Sequence, residues 1–157
     1  MANRIDVEAE LLAGQTIQMS PTGYSMYPLL DPKKGDQIIL GPAPESVKRG
    51  DIVVYRRDGE MGQVNESGEN LGILVLHRIT KVEGDSFYAC GDNQSKLEGP
   101  IRKDQIRGIM TARVRAGKTL SMTGIGVRCY AKMWLLLRPL RPMISKTVAR
   151  IKRVFAK

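Results

Sequence analysis

Between residues 16 and 112 the apolar residues fall into six short runs, at 16–19, 37–40, 52–56, 73–79, 86–89 and 106–112, separated by turn-forming residues. Runs this short, rich in β-branched residues and fenced by Gly, Pro, Asp or Asn, read as strands, so the chain is expected to be mainly β. Gly35-Asp36 and Gly50-Asp51 each stand just ahead of a run, pairing a permissive backbone with a side-chain turn acceptor. From Asp58 to Gly72 there are four glycines (Gly59, Gly62, Gly68, Gly72) and few apolar residues, which predicts a flexible acidic loop, a lid or an insertion, joining two strands. Ahead of all this, residues 5–13 carry Ile5, Leu11 and Leu12 among acids and stop at Gly14, the pattern of a short opening helix.

The end of the chain follows another rule. Residues 1–112 hold 13 Lys and Arg against all 16 acids, whereas 113–157 hold 12 Lys and Arg and no acid. The overall charge of +9 therefore belongs to a cationic tail on a near-neutral domain. Apolar residues return at helical spacing over 127–138 and again over 143–155, clearest in Ile144, Val148, Ile151 and Phe155, and Pro139 and Pro142 part the two segments. Lys146, Arg150, Lys152, Arg153 and Lys157 lie opposite that stripe, so the second segment is suited to an anionic membrane surface or to packing on the domain with a solvated basic face. Only Tyr130, Trp134 and Phe155 offer stacking surfaces there, and no nucleic-acid recognition motif is present, which points away from nucleic acid as a partner. The expected organisation is an N-terminal helical segment (1–15), a β domain (16–116) and a basic helical tail (117–157).

Three groups can carry chemistry. His77 is the lone histidine, and the period of two in its run puts Ile73, Val75, His77 and Ile79 on one face, so the imidazole projects from an apolar surface. Lone histidines are commonly structural, but such a face holds a base rigidly. Upstream, Gly23-Tyr24-Ser25-Met26-Tyr27-Pro28 sets a serine between a permissive glycine and a proline that restricts Tyr27. A serine hydroxyl is nearly inert at neutral pH and needs a neighbouring base with a pKa near 7, which histidine supplies. Third, Cys90-Gly91-Asp92-Asn93-Gln94 reads as a tight turn in which Asp92 either caps its own backbone or accepts from the imidazole; Glu98, six residues on, is a second carboxylate of the same kind.

Taken in order, Gly23-Tyr24-Ser25-Met26-Tyr27-Pro28, Gly50-Asp51-Ile52-Val53, His77-Arg78-Ile79 and Gly91-Asp92-Asn93 resemble the S24/S26 serine peptidase superfamily, specifically its signal peptidase I branch. The resemblance runs from about Thr16 to Ala112. It implies a coiled β-sheet domain and an endopeptidase that releases leader or signal sequences after small residues. Bacterial housekeeping members use lysine as the base; His77 at that position is similar to the endoplasmic-reticulum, archaeal and sporulation type. On this match Ser25 is the nucleophile, His77 the base, Asp92 the orienting acid, and Glu98 stands where a second aspartate is usual. Gly23 replaces a serine that helps form the oxyanion hole in many members, leaving the backbone around Gly23, Ser25 and Met26, with the Ser25 amide foremost, to position substrate and stabilise the oxyanion. No metal or organic cofactor is implied, and the partner is a peptide or precursor protein.

Such an enzyme is expected to lose activity below about pH 6 to 7, as an imidazole near its reference pKa becomes protonated. Neither a cleavable signal, given Asp6, Glu8 and Glu10, nor an apolar stretch of spanning length is evident, the longest strictly apolar run being 133–137. Cys90 and Cys129 form no disulfide framework, and no cysteine and histidine cluster has zinc-ligand spacing. These features suggest a cytoplasmic protein or one peripheral to the cytoplasmic membrane face. Two other functions fit the sequence: a catalytically silent adaptor whose basic tail does the binding, and a self-cleaving repressor-like regulator processed at Ala13-Gly14.

Overall fold

The computed structural model describes residues 6–58 and 72–137. The chain begins with α1 (Val7–Leu12), whose N-terminus is capped by the Asp6 carboxylate accepting from the Glu8 and Ala9 N–H groups. Leu11 is buried while Leu12 faces solvent, so one residue of the expected apolar stripe anchors the helix. Eight strands follow: β1 (Ile17–Met19), β2 (Gln37–Pro42), β3 (Ile52–Arg57), β4 (Ile73–Glu83), β5 (Ser86–Cys90), β6 (Glu98–Ile101), β7 (Ile106–Arg115) and β8 (Lys118–Ser121), then α2 (Ile125–Leu136). All pair antiparallel in one curled half-barrel sheet, in the order β1-β2-β7-β3-β4-β5-β6 with β8 on β7. The fold is mainly β, as the turn-fenced runs predict.

Each of the six runs lies in a strand, while β6 and β8 have no counterpart in that reading. β6 contains Gly99 and Pro100, residues that argue against a strand unless it closes a sheet edge, where β6 lies. β8 extends the sheet into the basic tail. The pairing of Arg115 with Lys118 leaves Ala116 and Gly117 as a two-residue turn with φ of 48° and 75°, both left-handed, which a Gly tolerates and an Ala does not advertise. The sheet therefore runs past the boundary expected at 116. The glycine-rich loop falls largely on 59–71 and the second tail helix on 143–155, outside the described residues.

Register fixes what each face carries. Val53 lies opposite His77 on β3 and β4, so Tyr55 and Arg57 share the His77 face by the period of two. On the far side Ile79 pairs with Ala89, and Ala89 with Glu98, which brings Glu98 to the same face. Arg78 pairs with Cys90 and belongs to the opposite face. Two apolar clusters result: Val53, Tyr55, Ile79, Phe87 and Ala89 pack together, while Leu74, Leu76, Ile52 and Val54 join Met26, Leu29 and Leu30. Both faces of β4 are thus covered around His77.

Candidate active site

The Ser25 segment is a turn seated in the second cluster. Met26, Leu29 and Leu30 are buried, each burial contributing about 1.5–3 kcal/mol, and the Leu30 N–H donates to the Met26 carbonyl. Arg113 on β7 donates to the Leu29 carbonyl at 2.9 Å, and the buried Asp36 carboxylate accepts from the Asp31 N–H at 2.7 Å. Arg115 holds Asp36 with two bonds of 2.5 and 2.6 Å, and that guanidinium keeps the Asp36 carboxyl below its ordinary range. The turn begins at Gly23 with φ of +79°, a left-handed conformation that a side chain would strain. Within it the Tyr27 N–H donates to the Tyr24 carbonyl, and among the described residues none engages the Ser25 N–H, which stays available to a ligand oxygen.

Ser25, half-buried, lies at a cavity of about 290 Å³ lined by apolar residues including Met19, Met26, Leu30, Leu40 and Leu76. Its carbonyl accepts the Asn93 N–H at 2.7 Å, so the turn after β5 grips the serine by its backbone. Contact there is close: a Cβ on Gly91 would lie 2.6 Å from the Ser25 carbonyl oxygen.

His77 is 2% exposed. Its Nδ1 lies 3.3 Å from the Tyr55 hydroxyl and 3.5 Å from a Glu98 oxygen. The Tyr55 hydroxyl donates to Glu98, and Arg57 donates to both Glu98 oxygens, at 3.0 and 2.5 Å. Nε2 has no hydrogen-bond partner among the described residues. Burial lowers the imidazole pKa, Glu98 opposes that by its charge, and Arg57 adds to it. For Glu98, burial acts upward, but the bonds from Tyr55 and Arg57 and the neighbouring charges outweigh it and hold the carboxyl below the ordinary glutamate range. Burial and the adjacent carboxylate push the Tyr55 phenol up, so it remains protonated.

Asp92 is placed differently from the orienting role assigned to it by motif. Its two oxygens accept from Arg78 at 2.8 and 2.7 Å, with both side chains 1% exposed. Arg78 also donates to the Gly50 carbonyl, and Tyr130 of α2 lies over the guanidinium at 5.8 Å. Trp134, stacked on Tyr130 with centroids 5.6 Å apart, donates its indole N–H to the Asp92 carbonyl. The sheet register explains this: Asp92 continues the parity of Cys90 and so belongs with Arg78, not with His77.

The structure thus brings Glu98 to His77 and binds Ser25 to the Asp92-Asn93 turn by its backbone. Among the described residues the Ser25 hydroxyl makes no hydrogen bond to His77. Motif reading misses Tyr55 and Arg57 and gives Arg78 no role; extending the alternation of the 52–56 run would have put Tyr55 and Arg57 on one face, but only register ties that face to His77. Among the described residues no group of three His, Cys, Asp or Glu is placed to hold a metal ion, and no helix is long and apolar enough to cross a membrane. Compared with protein-family models, with curated proteins and with solved structures, the chain matches none.

Proposed function

We propose that the protein is a serine endopeptidase of the signal-peptidase-like type, with Ser25 as nucleophile, His77 as base and Glu98, in place of Asp92, as the orienting carboxylate. The observation that carries this reading is the one-sided occupation of the imidazole: Nδ1 faces Glu98 and Tyr55, and Nε2 is left for a serine. The resemblance in four ordered motifs supplies the reaction class. The reading requires that the Ser25 hydroxyl, whose turn packs with Leu74 and Leu76, reach Nε2 once substrate is bound.

In this reading Ser25 Oγ attacks the peptide carbonyl carbon while His77 Nε2 takes its proton; the Ser25 N–H donates to the developing oxyanion. The imidazolium returns the proton to the leaving amine, and the peptide C–N bond breaks to give an acyl-serine. Water, deprotonated by the same Nε2, then releases the acid. The apolar cavity beside Ser25 favours a small or aliphatic substrate side chain at the cleaved bond. We assign the outer face of α2 to an anionic membrane surface: Ile125, Met133 and Leu136 are exposed there beside Arg128 and Lys132. The protein then works at a membrane surface, on the cytoplasmic side.

Mass-spectrometric profiling of a diverse peptide library with wild-type protein, Ser25→Ala and His77→Ala tests the activity. Cleavage that vanishes in both variants supports the peptidase. Absence of cleavage, with anionic lipid also present, favours the silent adaptor.

A further inference from the structure

Glu98 is shared. Its carboxylate meets His77, the Tyr55 hydroxyl and the Arg57 guanidinium at once, and of these Arg57 alone carries a fixed charge. We propose that Arg57 is a positioning residue for His77: by gripping both Glu98 oxygens it holds the carboxylate at the Nδ1 edge and keeps the imidazole neutral with its proton on Nδ1.

The tautomer follows from donor counting. The Tyr55 proton is committed to Glu98, so the phenol oxygen facing Nδ1 can only accept, and the Glu98 oxygen 3.5 Å from Nδ1 can only accept as well. Both therefore call for hydrogen on Nδ1, which leaves the lone pair on Nε2. Geometry keeps the carboxylate there. A two-pronged guanidinium–carboxylate contact fixes orientation as well as charge, and this one is mostly shielded, Arg57 being 26% and Glu98 15% exposed.

Among the described residues, three elements bring titratable or charged groups towards His77. β3 presents Tyr55 and Arg57, β6 presents Glu98, and the turn after β5 presents Asp92, whose charge is met by Arg78 on the other face. The Ser25 turn, which packs with Leu74 and Leu76, carries only Tyr24 and Tyr27 as titratable groups, both exposed. Burial is the main cause that lowers the imidazole pKa; Glu98 draws a proton onto the ring, and Arg57 offsets part of that pull. A base that stays neutral at moderately acidic pH is the consequence.

The inference leans on the peptidase reading only for its catalytic meaning. Because His77 is the lone histidine, the long-range ¹H–¹⁵N spectrum of tag-free, full-length protein reports one imidazole and needs no substrate. Wild-type protein is expected to show the Nδ1–H tautomer. Arg57→Gln raises the titration midpoint by about half a pH unit or more, Arg57→Lys restores much of the wild-type midpoint, and Glu98→Gln lowers it. An Nε2–H tautomer in the wild type, or a midpoint unmoved in a well-dispersed Arg57→Gln spectrum, overturns the proposal. Should Arg57→Gln fail to fold, an unmoved or raised midpoint in Glu98→Gln does the same. If cleavage is seen in the library, the acid limb of kcat/KM moves upward with the midpoint in Arg57→Gln. If no peptide is cleaved but the midpoints move as stated, the peptidase reading fails and the role of Arg57 stands.

Discussion

Two carboxylates six residues apart meet two arginines on opposite faces of one sheet, and the two pairs differ in almost everything else. Asp92 and Arg78 are each 1% exposed, make two near-ideal hydrogen bonds and are covered by Tyr130 and Trp134 of α2. Glu98 and Arg57 are partly exposed beside a polar cleft, and Glu98 accepts from Tyr55 and Arg57 while it faces His77 at 3.5 Å. A sealed pair whose donors are satisfied holds a fold in register. A shared pair beside a histidine is placed to tune the proposed base. The partners of each carboxylate follow from the face it occupies, not from its place in a motif.

Substitutions at the two pairs and their neighbours are expected to have effects of very different size. Asp92→Asn leaves the Arg78 charge buried without its partner and is expected to cost about 3–5 kcal/mol of stability in denaturant unfolding; a cost below about 1 kcal/mol would mean the pair is not the clamp described. For Glu98→Gln the expectation is reversed: kcat/KM on a library-derived peptide falls about 100-fold or more, corresponding to about 2.7 kcal/mol, while stability changes by at most about 1–2 kcal/mol. Gly91→Ala drives a Cβ to 2.6 Å from the Ser25 carbonyl and displaces the turn that holds the serine, so kcat is expected to fall about tenfold or more with KM little changed. Trp134→Phe removes one hydrogen bond from α2 to the Asp92 carbonyl and should cost about 1 kcal/mol, read as a small drop in Tm with the peptide kinetics intact.

The pH dependence belongs with the shared pair. In the proposed mechanism the base is neutral His77, and burial lowers its folded-state pKa, so activity is expected to persist below the ordinary imidazole value of about 6.5 and to be lost only as pH falls through the lowered pKa. This moves the acid limb below the pH 6 to 7 expected from an unperturbed imidazole. The same sign applies to stability: the unfolded chain takes up the proton more readily, so the contribution of neutral His77 is complete above about pH 6.5 and declines below it. A kcat/KM profile with its acid limb above pH 7 would contradict the assignment of Arg57 and burial.

Much of the fold is legible because strands signal themselves locally. The runs at 52–56 and 73–79 are bounded by turn residues and alternate cleanly, and they became β3 and β4. Glu98-Gly99-Pro100 carries no such signal, since a glycine and a proline form a strand there only because the sheet edge accepts them. The candidate site divides in the same way. Ser25 and His77 can be picked from chemistry and order along the chain, but the choice between Asp92 and Glu98 cannot, because it depends on which strands pair and with what parity. Arg78 is fully buried, with Asp92 and the Gly50 carbonyl accepting from its guanidinium. Tyr130 and Trp134 look like available stacking surfaces; instead they cover that pair.

Trapping an acyl-serine would show whether Ser25 is the nucleophile and Glu98 the orienting carboxylate. Full-length protein is incubated with an activated ester of a short peptide ending in alanine, quenched in acid and mapped by mass spectrometry, alongside Ser25→Ala, Asp92→Asn and Glu98→Gln, each checked for folding at the assay temperature. The account predicts an adduct on Ser25 that is absent in Ser25→Ala, about as fast in folded Asp92→Asn and about 100-fold slower in Glu98→Gln. An adduct on another residue, or equal rates in Glu98→Gln and wild type with slow acylation in folded Asp92→Asn, would contradict it.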